Sequence, residues 1–179
     1  MGDDLLKHKH ILKLTLCAVF MALSFVSTMI FIPLPIGNVN LGDAAVIIGA
    51  IILGPIYGAV AGGIGPMLAD LASGYALYAP ATLIIKAFMA LMCALIYKFI
   101  VKYFQKEMLS KIIGAAVAEI TMIIGYFIYE WVLYSNAITA LANVPFNAIQ
   151  GFVGAFIGVT VSVLLLKNKN VQSILNDRK

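Results

Sequence analysis

Long apolar runs alternate along the chain with short segments in which glycine, proline and lysine gather, and these breakers mark where helices end. The pattern predicts a first helix from about Ile11 to Ile32, stopped by PLPIGN. A second starts near Asp43, a residue suited to an N-cap, and ends before Gly54-Pro55. A third runs from about Ile56 to Ser73. The fourth opens at Pro80, which suits a first turn, and reaches about Tyr103. The fifth covers about Lys111 to Tyr134 and the sixth about Ile138 to Leu166. The stretch from Gly42 to Gly74 is too long for one membrane crossing and short for two. Two short helices joined by a tight Gly-Pro turn are expected there, with one kinked helix as the alternative.

Composition turns these runs into spans. Of 179 residues, 63% are hydrophobic and 11% charged, and the mean hydropathy is +1.02. A soluble domain is about half apolar and about a quarter charged. A bilayer is therefore the implied solvent, and residues 1–179 read as a single all-α transmembrane domain. No cleavable signal peptide is evident, because the first apolar run is as long as a full span and lacks a small-x-small site. Cys17 and Cys93 lie inside apolar runs as small hydrophobes, and make neither a disulfide framework nor a metal site.

The net charge of +4 is unevenly spread. Eleven of the twelve basic residues fall at the N-terminus, in 98–111 or at the C-terminus. That clustering follows the positive-inside rule rather than a nucleic-acid surface. If all three clusters are cytoplasmic, an even number of spans separates each neighbouring pair. The 84 residues between Lys13 and Lys98 fit four spans, and the 55 between Lys111 and Lys167 fit two, at about 20 residues each. The expectation is six transmembrane helices with both termini cytoplasmic, and hydrophilic tails at 1–10 and 168–179.

Small residues recur at four-residue spacing: Ala18 and Ala22; Gly54, Gly58 and Gly62; Gly154 and Gly158. Such strips let helices approach closely in lipid, either inside the bundle or against a partner subunit. Ionisable groups within spans are costly and face a cavity or a partner. Here they are Asp70, Lys86, Glu119 and Glu130, accompanied by the amides Asn143, Asn147 and Gln150. At about 1.5 Å per residue, Asp70, Lys86, Glu130 and the first amides reach a similar outer level from four helices, and Glu119 lies deepest. Asn143, Asn147 and Gln150 fall at i, i+4, i+7 on one stripe, and Glu119, Tyr126 and Glu130 at i, i+7, i+11 on another. Tyr75, Tyr78, Tyr126, Tyr129, Trp131 and Tyr134 gather at the same level, either as an interfacial belt or as rings for a ligand. Asp70 and Lys86 read either as a structural ion pair or as ligand contacts. The set describes a binding cavity for a small, flat, polar molecule, open to the outside.

Catalytic and motor motifs are missing. There is no G-x-x-x-x-G-K-[ST] and no H-E-x-x-H, and His8 and His10 lie in the hydrophilic start. No metal or other cofactor is expected, and the chain does not read as an enzyme. A pocket without a motor points to a subunit driven by others.

Val39 to Pro80, VNLGDAAVIIGAIILGPIYGAVAGGIGPMLADLASGYALYAP, and the following TLIIKAFMALMCALIY resemble the substrate-binding S component of energy-coupling factor (ECF) vitamin transporters. AVFMA, Ala18 to Ala22, resembles the strip with which such subunits dock their transmembrane coupling protein. VPFNAIQGFVGA, Val144 to Ala155, is similar to the start of their last helix. The pattern is nearest the vitamin B6 and hydroxymethylpyrimidine type, with the riboflavin type as a neighbour. The resemblance implies a bundle in a prokaryotic plasma membrane that takes up a small water-soluble vitamin from outside. It also implies assembly with one coupling protein and two ATPase subunits, and toppling in the membrane to release the vitamin. It makes Pro33 to Asp43 a candidate lid, adding Asn40 and Asp43 to the substrate contacts Asp70, Tyr75, Tyr78, Lys86, Glu119, Tyr126, Glu130, Asn143, Asn147 and Gln150. A self-sufficient facilitator would instead need a polar lining on both sides of the membrane. An intramembrane enzyme using Asp70 or Glu119 would need a nucleophile or metal set that the chain lacks.

Overall fold

Glycine and proline cut the apolar sequence into helices α1 (Gly2–Met29), α2 (Gly42–Leu53), α3 (Pro55–Ala72), α4 (Ala79–Phe104), α5 (Glu107–Tyr134) and α6 (Ala137–Lys167). A hairpin of β1 (Phe31–Leu34) and β2 (Gly37–Asn40) joins α1 to α2. The structure, a computed structural model, describes residues 2–34 and 37–168, with side chains at 10–32 and 39–168. Residues 169–179, nearly all of the expected C-terminal tail, lie outside the described residues, as do 35 and 36 of the expected lid.

The expected N-terminal tail is helical instead. Between Gly2 and Ile11 there is no proline or internal glycine to stop it, so α1 starts nine residues earlier than its apolar run. At its other end α1 stops at Met29, short of Ile32, and the chain turns extended before Pro33. Residues preceding proline are pushed out of the helical region. The antiparallel hairpin pairs Phe31 with Asn40 and Leu34 with Gly37, so the bundle is not purely α.

Two helices, rather than one kinked helix, occupy Gly42 to Gly74. Gly54 adopts φ +81°, ends α2 and caps α3, whose first residue is Pro55. The positive φ, cheap only for glycine, folds α3 back on α2, so a Cβ at Gly58 would lie 2.9 Å from Ala50 Cα. Asp43 is not the N-cap. Leu41 holds that position without a side-chain bond, and Asp43 sits in the first turn with its carboxylate directed elsewhere.

At about 1.5 Å per residue, the 12 residues of α2 cover only about half a bilayer core of about 30 Å. Ten of them are buried, and α1, α3, α4, α5 and α6 all contact this helix. A helix apolar on every side belongs in a core, which explains why α2 lacks a polar face. Val46, Ile47 and Ala50 from α2 meet Met89, Ala90 and Cys93 of α4 and Ala118 and Met122 of α5 in the main apolar cluster. The outer faces stay apolar, with Ile84, Val132, Phe152 and Leu164 well exposed. Among the described residues, four helices are long and apolar enough to cross a membrane: His10–Met29 of α1, and α4, α5 and α6. This is a multi-pass membrane protein.

The small-residue strips divide between the inside of the bundle and its outer surface. Gly58 and Gly62 face α2, and Gly154 and Gly158 bring α6 against Asp43 and Ile47. Ala18 and Ala22 point outward, while Cys17, Phe20 and Ser24 form the inner face of α1. Ser24 donates to the carbonyl of Ala61 on α3. Gly65 of α3 lies so close that a Cβ there would fall 2.0 Å from Ser24 Oγ.

Chain direction sorts the two ends of the bundle. The Gly54 turn lies beside Lys98 Nζ, and Tyr57 at the start of α3 meets His10 of α1 at 3.4 Å. This end also carries the α4–α5 connection with Lys102, Lys106 and Lys111. The hairpin and the α3–α4 and α5–α6 connections form the opposite end.

Candidate functional site

A cavity of about 360 Å³ lies at the hairpin end, lined by Phe31, Asn40, Asp70, Tyr75, Tyr78, Thr82, Tyr126, Glu130, Tyr134, Asn143, Phe146, Asn147 and Gln150. Its size sits at the small end of ligand pockets, roughly 300–1,000 Å³. All six helices except α1 and α2 contribute lining residues, and the hairpin contributes Phe31 and Asn40.

Local sequence explains the placement. On α6 the i, i+4, i+7 stripe aims Asn143, Asn147 and Gln150 at one side. Asn136 caps this helix, accepting from the amides of Ile138 and Thr139. Thr82 lies one turn into α4, and Lys86 one turn deeper. Gly74, at φ +83°, ends α3 and starts the turn that brings Tyr75 and Tyr78 back over the cavity.

Beneath the floor lies a buried polar cluster. Lys86 forms an ion pair with Asp43, and both are almost inaccessible. Gln150 Nε2 donates to the other oxygen of Asp43 at 2.9 Å, and Gln150 Oε1 accepts from the amide of Asn40 at 3.1 Å. The Asn40 side chain in turn accepts from Gly42 N at 2.9 Å. The Lys86 ammonium also stands 5.5 Å from the Tyr126 ring centroid, within cation–π range. Of the two readings of Asp70 and Lys86, the ion pair between them is not what the structure shows, because Lys86 pairs with Asp43. Thr82 occupies the level of Asp70 and bonds it at 2.5 Å, whereas Lys86, a turn below, meets the first turn of α2.

The walls hold two further polar chains. Tyr126 and Thr82 share a hydrogen bond of 2.9 Å, and Thr82 donates to Asp70. At the rim Tyr134 and Tyr78 hydroxyls are 2.6 Å apart, Tyr78 donates to Glu130 over 3.5 Å, and Asn143 donates to Glu130 at 3.0 Å. Tyr129 donates to the carbonyl of Leu77, and its ring meets Tyr78 edge-on at 5.4 Å. Burial first, then the bond to Tyr134, hold the Tyr78 phenol above its ordinary range, so it remains a donor. Phe31 of the hairpin approaches Tyr75 at 6.3 Å between centroids.

Nine of the twelve candidate contacts therefore line one cavity: Asn40, Asp70, Tyr75, Tyr78, Tyr126, Glu130, Asn143, Asn147 and Gln150. Asp43, Lys86 and Glu119 do not line it. Asp43 and Lys86 serve the floor. Glu119 is buried against α6, and neither carboxylate oxygen has a hydrogen-bond partner among the described residues. Hypothetical Cβ atoms at Gly151 and Gly154 would each lie 2.9 Å from one of those oxygens. Phe31, Thr82, Tyr134 and Phe146 line the cavity without having been singled out as contacts. Thr82 carried a signal, being one helical turn before Lys86. The hairpin that brings in Phe31 carried none.

An apolar bundle with a polar cavity at one end defines the class: a multi-pass membrane protein with a polar pocket between its helix ends. The family model described as ECF-type riboflavin transporter, S component, matches residues 8–167, and the chain belongs to the S-component family of ECF-type transporters. A protein of Lactococcus lactis subsp. cremoris (strain MG1363) named "Thiamine precursor transporter HmpT" is 30% identical over 166 residues, 90% of this chain and 92% of that one. An "Uncharacterized protein in gap 3'region" of Pyrococcus woesei is 30% identical over 151 residues, 82% of this chain and 95% of its own. Membership in a transporter family places the chain among transport proteins rather than enzymes.

Proposed function

We propose that this protein is the substrate-capture subunit of a vitamin importer in a prokaryotic plasma membrane. It crosses the membrane with six helices, short α2 included, and keeps both termini in the cytoplasm. The supporting observation is the cavity's position at the end opposite Lys98, Lys102, Lys106 and Lys111, which the positive-inside rule makes the outer end. The substrate is a small vitamin or vitamin precursor of the hydroxymethylpyrimidine or pyridoxine/pyridoxamine kind. The small cavity and the thiamine-precursor relative support that reading over riboflavin, the ligand in the family description. Energy comes from a coupling protein and two ATPase subunits, docked on the outward strip of Ala18 and Ala22. Mass spectrometry of small molecules released from the detergent-purified, denatured protein tests the reading. A stoichiometric hydroxymethylpyrimidine or B6 vitamer is the expected result. Recovery of riboflavin would replace the proposed vitamin and keep the capture role. No binding across a vitamin panel would reject that role.

A further inference from the structure

Hydrogen positions around the cavity follow from counting. Thr82 has one hydroxyl hydrogen and donates it to Asp70, so in the bond it shares with Tyr126 it accepts, and Tyr126 donates. Tyr78 stands 3.5 Å from Glu130 and shares a 2.6 Å bond with Tyr134 in which either hydroxyl can donate. The Tyr126–Thr82 chain runs downhill into Asp70 and leaves no hydroxyl hydrogen over, and the Tyr78–Tyr134 pair leaves at most one. Among the described residues, the lining contains no lysine, arginine or histidine. The cation beneath, Lys86, is 3% exposed and is held by Asp43. The cavity therefore offers a ligand two carboxylates, hydroxyl lone pairs and aromatic faces from α3, α4 and α5, with amide hydrogens from the α6 stripe and from Asn40 of the hairpin, and the Tyr75 hydroxyl from the α3–α4 connection. Aromatic faces attract cations as well. An anionic ligand would lose its hydration and meet two like charges, which is costly in a water-poor site.

We infer that the ligand is a heteroaromatic ring bearing an amino group or a protonatable ring nitrogen turned toward Asp70 and Glu130, and that carboxylated or phosphorylated relatives of the same ring are rejected. This rests on the reading of the cavity as a vitamin site and narrows its chemistry. The geometry also assigns sides: α3, α4 and α5 receive the donor edge, and the Asn143–Asn147–Gln150 stripe receives the ring's acceptors.

Calorimetric titration of the full-length protein in detergent, with ring-matched pairs, tests the inference. The first pair is 4-amino-5-hydroxymethyl-2-methylpyrimidine and its 4-hydroxy counterpart. The second is pyridoxamine and 4-pyridoxic acid. The aminated member of at least one pair binds more tightly by about 10- to 100-fold, the range for hydrogen bonds to charged groups. In Asp70→Asn and Glu130→Gln, made separately and checked by thermal unfolding, that ratio falls toward one in at least one variant. Equal or tighter binding of the hydroxy or acid member overturns the inference and leaves the capture role standing. So does an undiminished ratio in both folded variants. Binding of riboflavin with none of the four compounds bound has the same meaning. If no vitamin of any class binds, the reading of the cavity and the inference fall together.

Discussion

At the scale of single residues, the ion pair between Asp43 and Lys86 is the feature most sensitive to change. Both groups are buried, and Gln150 completes the coordination of the carboxylate. Removing one member strands the other charge, which costs about 3–5 kcal/mol, whereas removing both together costs far less. Asp43→Asn is therefore expected to lower the unfolding temperature in detergent severely, and the added change Lys86→Met to restore much of it. Glu119 poses the reverse case. Its two oxygens have no partner among the described residues, so as a charge it is uncompensated by any hydrogen bond. Glu119→Gln keeps the shape without the charge, and is expected to unfold at or above the wild-type temperature. A marked loss would show that the carboxylate has a partner in solution. The presence of buried ionisable groups was legible in the sequence, because acids and a lysine stood out against apolar runs. Their partners were not. Asp43, Asp70 and Glu119 come from three helices, and which one meets Lys86 depends on helix rotation and on the half-length of α2.

At the scale of elements, the helix ends were largely legible, since Gly54-Pro55, Gly74 and Pro80 act locally and fall within a residue or two of observed boundaries. The hairpin was hidden for a physical reason. Strands of four residues are too short for a periodic signal, and β2 is secured by Gln150, which is 110 residues away. Close helix approach was legible as spacing but not as direction, and structure separates α6 glycines from α1 alanines. A Cβ at Gly154 would lie 2.6 Å from Asp43 Cβ and 3.4 Å from Ala44 N. Gly154→Leu is expected to push α6 off α2, losing about 1–3 kcal/mol or more and weakening ligand binding through Gln150. Gly74→Ala meets no atoms within 4 Å and carries only the strain of φ +83°, about 1–2 kcal/mol; melting curves of the two variants check the order. Ala18→Trp and Ala22→Trp alter an exposed face. They are expected to leave unfolding and ligand affinity near wild type while co-purification with the coupling protein is lost.

Across the whole molecule, the cavity and the basic segment from Lys98 to Lys111 occupy opposite ends, and the native thiols, Cys17 and Cys93, are buried. This permits a direct check of orientation. A membrane-impermeant maleimide added to intact cells is expected to label Ala76→Cys in the α3–α4 connection, and to label Lys106→Cys only after permeabilisation. The opposite pattern would invert the proposed topology. One continuity joins the proposed docking face and the cavity. α1 passes into the hairpin with only Ile30 between them, Leu41 N at the far side of the hairpin donates to Ser27 O of α1, and Asn40 is bonded to Gln150 in the cavity floor. The outward face of α1 is thus tied to the wall of the cavity by the chain itself and by two hydrogen bonds. If the proposed docking on α1 shifts this tie, reciprocity requires that ligand in the cavity change the grip of α1 on the coupling protein by the same factor that the coupling protein changes retention of the ligand.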